Sequence, residues 1–282
     1  VVIADDGASP HTVLELSGES TPIPVLVRDL WQHRGLLPML AAKDFHARYR
    51  SASLGILWSV FLPLLQGAVF AVVFTRVVRI PVSPDTNYPV FVISGMVLWS
   101  YFTQSVIAGS TAIVDGASIA GKVYFPRLIL PAVPVLANGV SFVISGLTLL
   151  GLMAVFGVSY RVELLLLPVA MALTALLAAL LASLLTLLHV YFRDVRYMVQ
   201  AVLLVALYIA PVIYPLAQAK RLQNILLVNP VTGPLQLTRF AIFGEAERLG
   251  ASLLITAAWI VALTIITLLA YRRHERVAVD RL

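Results

Sequence analysis

Cysteine is absent from the 282 residues, which excludes a disulfide framework, a thiolate metal site and a cysteine nucleophile. Charge is scarce too: only 12% of residues are Asp, Glu, Lys or Arg, roughly half of what a soluble domain of this size carries. With 60% apolar residues and a mean hydropathy of +0.93, the chain is built for a solvent other than water.

What charge there is keeps out of the apolar stretches. A helix crossing about 30 Å of hydrocarbon needs about 20 apolar residues, and residues 56–75, 89–109, 129–156, 164–188, 198–216 and 252–270 each supply such a run. None of the 20 basic or 14 acidic side chains lies inside them, nor does any of the five histidines. A barrel strand would be about ten residues of alternating polarity, and the run from Leu173 to Leu188 does not alternate. The expected fold is therefore an all-α integral membrane protein with six transmembrane helices, since only helices satisfy the backbone of such spans inside lipid.

Ion-coupled carriers and intramembrane enzymes keep ionisable groups at depth. Their absence from these runs predicts that the chain neither draws on an ion gradient nor performs chemistry within the bilayer, so the energy for uphill movement has to arrive from outside the spans. HExxH and GxSxG motifs are missing as well, and Asp44, Asp115 and Asp194 fall in segments between spans rather than paired at one apolar surface. Gly116, Gly121 and Lys122 match part of a phosphate-binding loop, but Val123 stands where a magnesium-holding hydroxyl is required and no strand precedes it. That match is read as chance.

The net charge of +6 does not mark a nucleic-acid partner, because the basic residues sit in short clusters beside apolar runs, as headgroup anchors do. One side of the spans collects Arg28, Arg34, Lys43, Arg48, Arg50, Lys122, Arg127, Arg193, Arg196 and Arg272, and the other is poorer. The richer side is expected to be cytosolic, with both termini on it.

Residues 1–22, with Asp5, Asp6, Glu15 and Glu19 among small polar residues, lack the basic start and apolar middle of a secretory signal and are expected to form a flexible cytosolic tail. In residues 23–52, Leu37, Ala41, Phe45 and Tyr49 recur every fourth position, which predicts an amphipathic helix along the cytosolic leaflet. Residues 53–272 hold the transmembrane domain and 273–282 a second cytosolic tail. Residues 217–251 are too charged for a span, yet carry Leu222, Ile225, Leu226, Leu235, Phe240 and Phe243. Short re-entrant helices dipping into the outer leaflet and forming the exit of a pathway are expected there.

Several motifs carry a family resemblance. Lys43, Phe45, Arg48, Tyr49, Ser53, Leu54, Gly55, Trp58 and Pro63, then Lys122 to Arg127 with Ile129 and Pro131, then Phe192, Arg193 and Asp194, and last residues 211–215 with Asn229, Pro230 and Arg239 resemble the permease subunits of polysaccharide exporters of the Wzm type, within the type-2 ABC transporter permeases. Asp115 and Gly116 depart from the Asn common in relatives. The resemblance implies a transport subunit rather than an enzyme, working as a homodimer with two copies of a separate ATPase that binds ATP and Mg. This chain would carry no cofactor and would sit in the bacterial cytoplasmic membrane, in contact with lipid and with lipid-linked polysaccharide. A permease for a lipid or drug is the nearest alternative; a membrane-embedded enzyme or passive channel is further off.

On that resemblance, Phe70, Phe74, Tyr208, Tyr214, Trp58 and Gln66 are expected along the substrate pathway, with Gln104 and Gln200 as further polar candidates. Pro211, Asn229, Pro230 and Arg239 are expected at a hinge or gate. Asp115, Lys122, Arg127, Arg193, Asp194 and Tyr49 are expected to contact the ATPase.

Overall fold

The protein is represented by a computed structural model that describes residues 23–50, 55–78, 87–117, 125–219 and 222–274. Residues 1–22, Ser53, Leu54, Lys122 and 275–282 lie outside them, so the tails and part of the loop after residue 117 are not described. Every regular element among the described residues is helical.

The helices follow in the order α1 (Ile23–Gln32), α2 (Leu36–Tyr49), α3 (Leu57–Val72), α4 (Tyr88–Ser110), α5 (Ala112–Asp115), α6 (Ile129–Val155), α7 (Leu167–Tyr191), α8 (Val195–Ile209), α9 (Gln223–Val228), α10 (Thr232–Phe243) and α11 (Leu249–His274). Local chemistry sets their ends. Asn87 Oδ1 accepts the Val90 amide at 3.3 Å, with Pro89 in the first turn, and so starts α4. Gly244, at φ 76°, ends α10 in the left-handed region that favours glycine. A π-helical turn, Val73–Val78, extends α3.

Five helical stretches are long and apolar enough to cross a membrane: Leu57–Arg76, Tyr88–Ser110, Ile129–Val155, Val162–Tyr191 and Leu249–Arg272. The predicted run 198–216 differs. Its helix α8 has 15 residues, about 22 Å at 1.5 Å per residue, and stops before Pro211 because a proline supplies no amide to the preceding turn. Apolar sequence continues to Leu216, but in broken backbone.

α4 is the axle of the bundle. Buried residues make up 78% of its apolar stretch, against 17% to 39% for the other long helices, and it packs on α3, α6, α7 and α8. Glycines let the backbones approach: a Cβ on Gly109 would lie 2.6 Å from Ala182 Cβ of α7, the close crossing that small residues allow between membrane helices.

One end of the bundle is closed by a cluster of Leu26 (α1), Ile113 (α5), Phe125, Ile129, Leu130, Leu187 and Tyr271, against which Leu37 and Leu40 of α2 pack. Within residues 23–52, expected as an amphipathic helix region, the described residues 23–50 form two helices separated by a turn at residues 33–35. The predicted face of α2 is the packed one: Ala41 is buried and Leu37, Phe45 and Tyr49 are half-buried, while Met39 is exposed. α2 rests on α6. The opposite end carries α9 and α10, with α10 seated on α11, α7 and α4.

Candidate functional site

α4 is buried all round except along one stripe. Ser100, Thr103, Gln104, Ile107 and Ala108 are its open positions beyond the first turn, and their i, i+3, i+4, i+7, i+8 spacing places them on one face. Three of the five are polar. Thr103 Oγ1 spends its proton on the Trp99 and Ser100 carbonyls, at 3.0 and 3.1 Å, while Gln104 is exposed with its amide open.

The stripe runs at both flanks into polar ground. Ser100 and Gln104 adjoin Ser59 of α3 and Asn138, Ser141 and Ser145 of α6 around one small cleft. Toward the α2 end, Ile107, Ala108 and Thr111 line a cavity of about 480 Å³ whose charged lining is Lys43, Asp44, Arg48, Asp115 and Arg196. Asp44 pairs with Arg48 at 2.8 Å and Asp115 accepts from Thr111 Oγ1 at 2.6 Å. Arg48 also donates to Asn138 Oδ1 at 2.6 Å, Asn138 Nδ2 donates to Ser105 Oγ at 3.3 Å, and the Tyr49 and Ser141 hydroxyls meet at 3.3 Å. A charged side chain of α2 thus reaches a buried amide in the middle of the bundle, where an unmade hydrogen bond costs about 1–3 kcal/mol.

At the other end the break in α8 is held by side chains. Tyr214 Oη donates to the Tyr208 carbonyl at 3.0 Å, Tyr88 Oη donates to the Ile213 carbonyl at 2.7 Å, and Arg239 Nη2 donates to the carbonyls of Pro211 and, at 3.2 Å, Val212. Arg239 is only 4% exposed, and its guanidinium carbon lies 3.8 Å from the centroid of Phe91 on α4, a desolvated cation–π contact. Nε and Nη1 of Arg239 and Oε2 of Glu247 are buried without a hydrogen bond. Burial pushes the Glu247 carboxyl up, opposed by the Ala217 amide and the Arg239 charge.

Arg239 qualifies one expectation. The six apolar runs are free of charge, but a fixed cation enters the interior by way of α10. A guanidinium stays protonated at any working pH, so it offers a permanent positive charge and no proton relay.

The predicted pathway residues are dispersed. Trp58 and Phe61 are exposed on α3, edge to face at 5.9 Å, and Gln66 is exposed on the same helix. Phe70 and Phe74 lie 6.1 Å apart, half-buried against the core. Tyr208 is exposed near the end of α8, and Tyr214 meets it through a backbone carbonyl rather than ring to ring. Asn229 Oδ1 accepts the Val231 amide at 3.0 Å and the Pro230 carbonyl accepts from Thr256 Oγ1 at 2.8 Å, so this pair turns the chain from α9 into α10 against α11. Arg193 and Asp194 are exposed in the turn between α7 and α8, and Arg127 is half-buried before α6. These three, Asp115 and Tyr49 share the α2 end. Ser100, Thr103, Asn138 and Ser141 were not singled out from sequence; polar residues at three-and-four spacing inside apolar runs were the available signal.

The chain matches the family model described as ABC-2 type transporter over residues 36–243. It is 34% identical over 227 residues to the O-antigen export system permease protein RfbA of Myxococcus xanthus, covering 78% of this chain and 84% of that protein. A Klebsiella pneumoniae protein of the same name is 27% identical over 180 residues, 64% of this chain and 68% of the relative. With several apolar helices long enough to span a bilayer and a family match across most of its length, this multi-pass membrane chain belongs to the ABC-2 type transporter permeases.

Proposed function

We propose that the chain is the membrane-spanning subunit of an ATP-driven exporter that moves lipid-linked polysaccharide across the bacterial cytoplasmic membrane. One observation carries the reading: the otherwise buried α4 keeps a polar stripe open, and that stripe leads into the cavity at the α2 end. Hydroxyl-rich chains are neutral or weakly charged, and they suit hydroxyls, amides and aromatic faces better than fixed charges. The names of the relatives, O-antigen export permeases, favour the same substrate class.

In this reading two copies of the chain enclose the pathway. Ser100, Thr103 and Gln104 form its floor, and exposed residues of α3 and α8, including Trp58, Gln66 and Tyr208, its walls; Phe70, Phe74 and Tyr214 sit toward its outer end. α8 with residues 210–216 makes a sixth crossing, α9 and α10 are re-entrant from the outer side, and both termini lie in the cytosol. Two copies of a separate ATPase dock at the α2 end, near Asp115, Arg127, Arg193, Asp194 and the α2 terminus at Tyr49. ATP and Mg bind to the ATPase, and the permease performs no catalysis. Pro211, Asn229, Pro230 and Arg239 belong to the outer gate.

The test is reconstitution of the chain with its partner ATPase in proteoliposomes carrying a defined lipid-linked glycan. ATP-dependent appearance of glycan on the far side is expected. Nucleotide hydrolysis by the permease alone, or movement of only short lipids or dyes, overturns the reading.

A further inference from the structure

In a continuing α8, the carbonyl of Pro211 would be served by the amide four residues on, which is that of Pro215 and does not exist. The carbonyls of Val212 and Ile213 lose their helical donors as well, because the backbone has left the helix. Ala210, Val212 and Ile213 are nonetheless buried, at 0%, 0% and 3% exposure, so water does not serve these acceptors. The donors come from outside the segment: Arg239 Nη2 to Pro211 and Val212, and Tyr88 Oη to Ile213.

We propose that Arg239 is a positioning residue that holds the outer end of α8 in its broken form, its guanidinium standing in for the amide that Pro215 lacks. The same group lies on the ring of Phe91 in α4 and is carried by α10, so one side chain joins the end of α8, the axle of the bundle and the re-entrant helix. Lysine cannot reproduce the whole arrangement: its ammonium can donate to the two carbonyls, but it has no planar face to lie on the Phe91 ring while it does so. The transport consequence rests on the proposed outer gate, but the positioning role does not, and its test needs no glycan.

The absence of cysteine makes that test direct. In the full permease–ATPase complex, Ile213→Cys is the sole thiol of its chain and is read by its rate of labelling with a membrane-impermeant maleimide; a second complex carrying Val106→Cys, buried at 0% exposure toward the C-terminal end of α4, reports on the core. Arg239→Gln is expected to speed labelling at position 213 by about tenfold or more while position 106 stays protected, the change expected when a buried hydrogen-bonded anchor is lost. Arg239→Lys is expected to fall between parent and Gln, and keeps the test open if the Gln variant does not accumulate. Combining Arg239→Gln with Pro215→Ala, which returns an amide to the segment, is expected to shrink the Arg239 effect to less than about threefold, the non-additivity of two changes acting on one bond. Unchanged protection at position 213 in both Arg239 variants, equal exposure of position 106, or strictly multiplicative effects in the combined variant would each overturn the assignment.

Discussion

The carbonyl oxygen of Val212 lies 2.7 Å from where a Cβ on Gly95 would stand, and Val212 Cγ1 3.2 Å from it. The broken end of α8 is thus laid directly on the backbone of α4, and no residue but glycine leaves room for it. Gly95→Ala forces either the carbonyl or the helix to move, and overpacking of this kind costs about 1–3 kcal/mol. The expected result is a lower melting temperature for the detergent-purified protein and reduced export. A Gly95→Ala protein that melts and exports like the parent shows that the close approach is dispensable.

Gln104 offers the complementary case, a change expected to spare the fold. Its side chain is exposed, so Gln104→Leu is expected to shift stability by no more than about 0.5 kcal/mol. If the α4 stripe guides a hydroxyl-rich substrate, export falls several-fold at unchanged expression and unchanged ATPase association. Should the amide serve instead to join two copies of the chain, the variant shows a loss of dimer on cross-linking, and the pathway reading of this residue is wrong.

These two positions mark what the sequence made legible and what it did not. Long apolar runs announce helices whatever the packing, so five of the six expected spans match helical stretches closely. The remaining run, 198–216, is continuous by hydropathy, but Pro211 and Pro215 interrupt hydrogen bonding near its outer end, and α8 ends at Ile209. The α4 stripe left only a partial mark in the sequence, Ser100, Thr103 and Gln104 at three-and-four spacing, because Ser94, Ser105 and Ser110 on the buried faces blur any periodic sign of which face the neighbours leave open. Arg239 was noticed as a motif residue, but its contacts with Pro211 and Phe91 join segments far apart in the chain, and no local pattern encodes such a meeting.

Glu247 gives a pH signature. Burial raises its folded-state value above the ordinary carboxyl value of about 4.3, so the neutral form is the better tolerated one in the folded chain. The stability it contributes is present below the ordinary value and is lost as pH rises through the raised one. Glu247→Gln, neutral throughout, is expected to flatten the decline in melting temperature over that window. A variant whose melting temperature falls with pH as steeply as the parent's assigns the dependence to other groups.

Asn138 is the hub that ties α2 to the bundle, accepting from Arg48 at 2.6 Å and donating to Ser105 at 3.3 Å. Asn138→Leu keeps the volume and removes both bonds, leaving a guanidinium aimed at an apolar side chain, at a cost of about 1–3 kcal/mol. Ser141→Ala removes only the single 3.3 Å contact with Tyr49 and is expected to cost about 0.5–1.5 kcal/mol. Melting of the two variants side by side tests the ranking. Equal losses place the weight on α2 packing rather than on the Asn138 relay.

Pro211 separates a hinge from a simple stop. The helix already ends at Ile209, two residues before it, and the missing Pro211 amide leaves the Leu207 carbonyl without its donor. Pro211→Ala returns that amide and lets α8 wind on as far as Pro215 permits. Winding on draws the carbonyls of residues 211–213 away from Arg239 and Tyr88, which now hold them, so the new helical bonds compete with an existing set of similar number. The balance is expected to be close enough that the protein folds and accumulates normally, yet with export altered several-fold in the reconstituted complex, because the outer end now has two comparable states. If export stays at the parent level with normal expression, Pro211 is a terminator only, and the broken form is set by Pro215 and Arg239 alone.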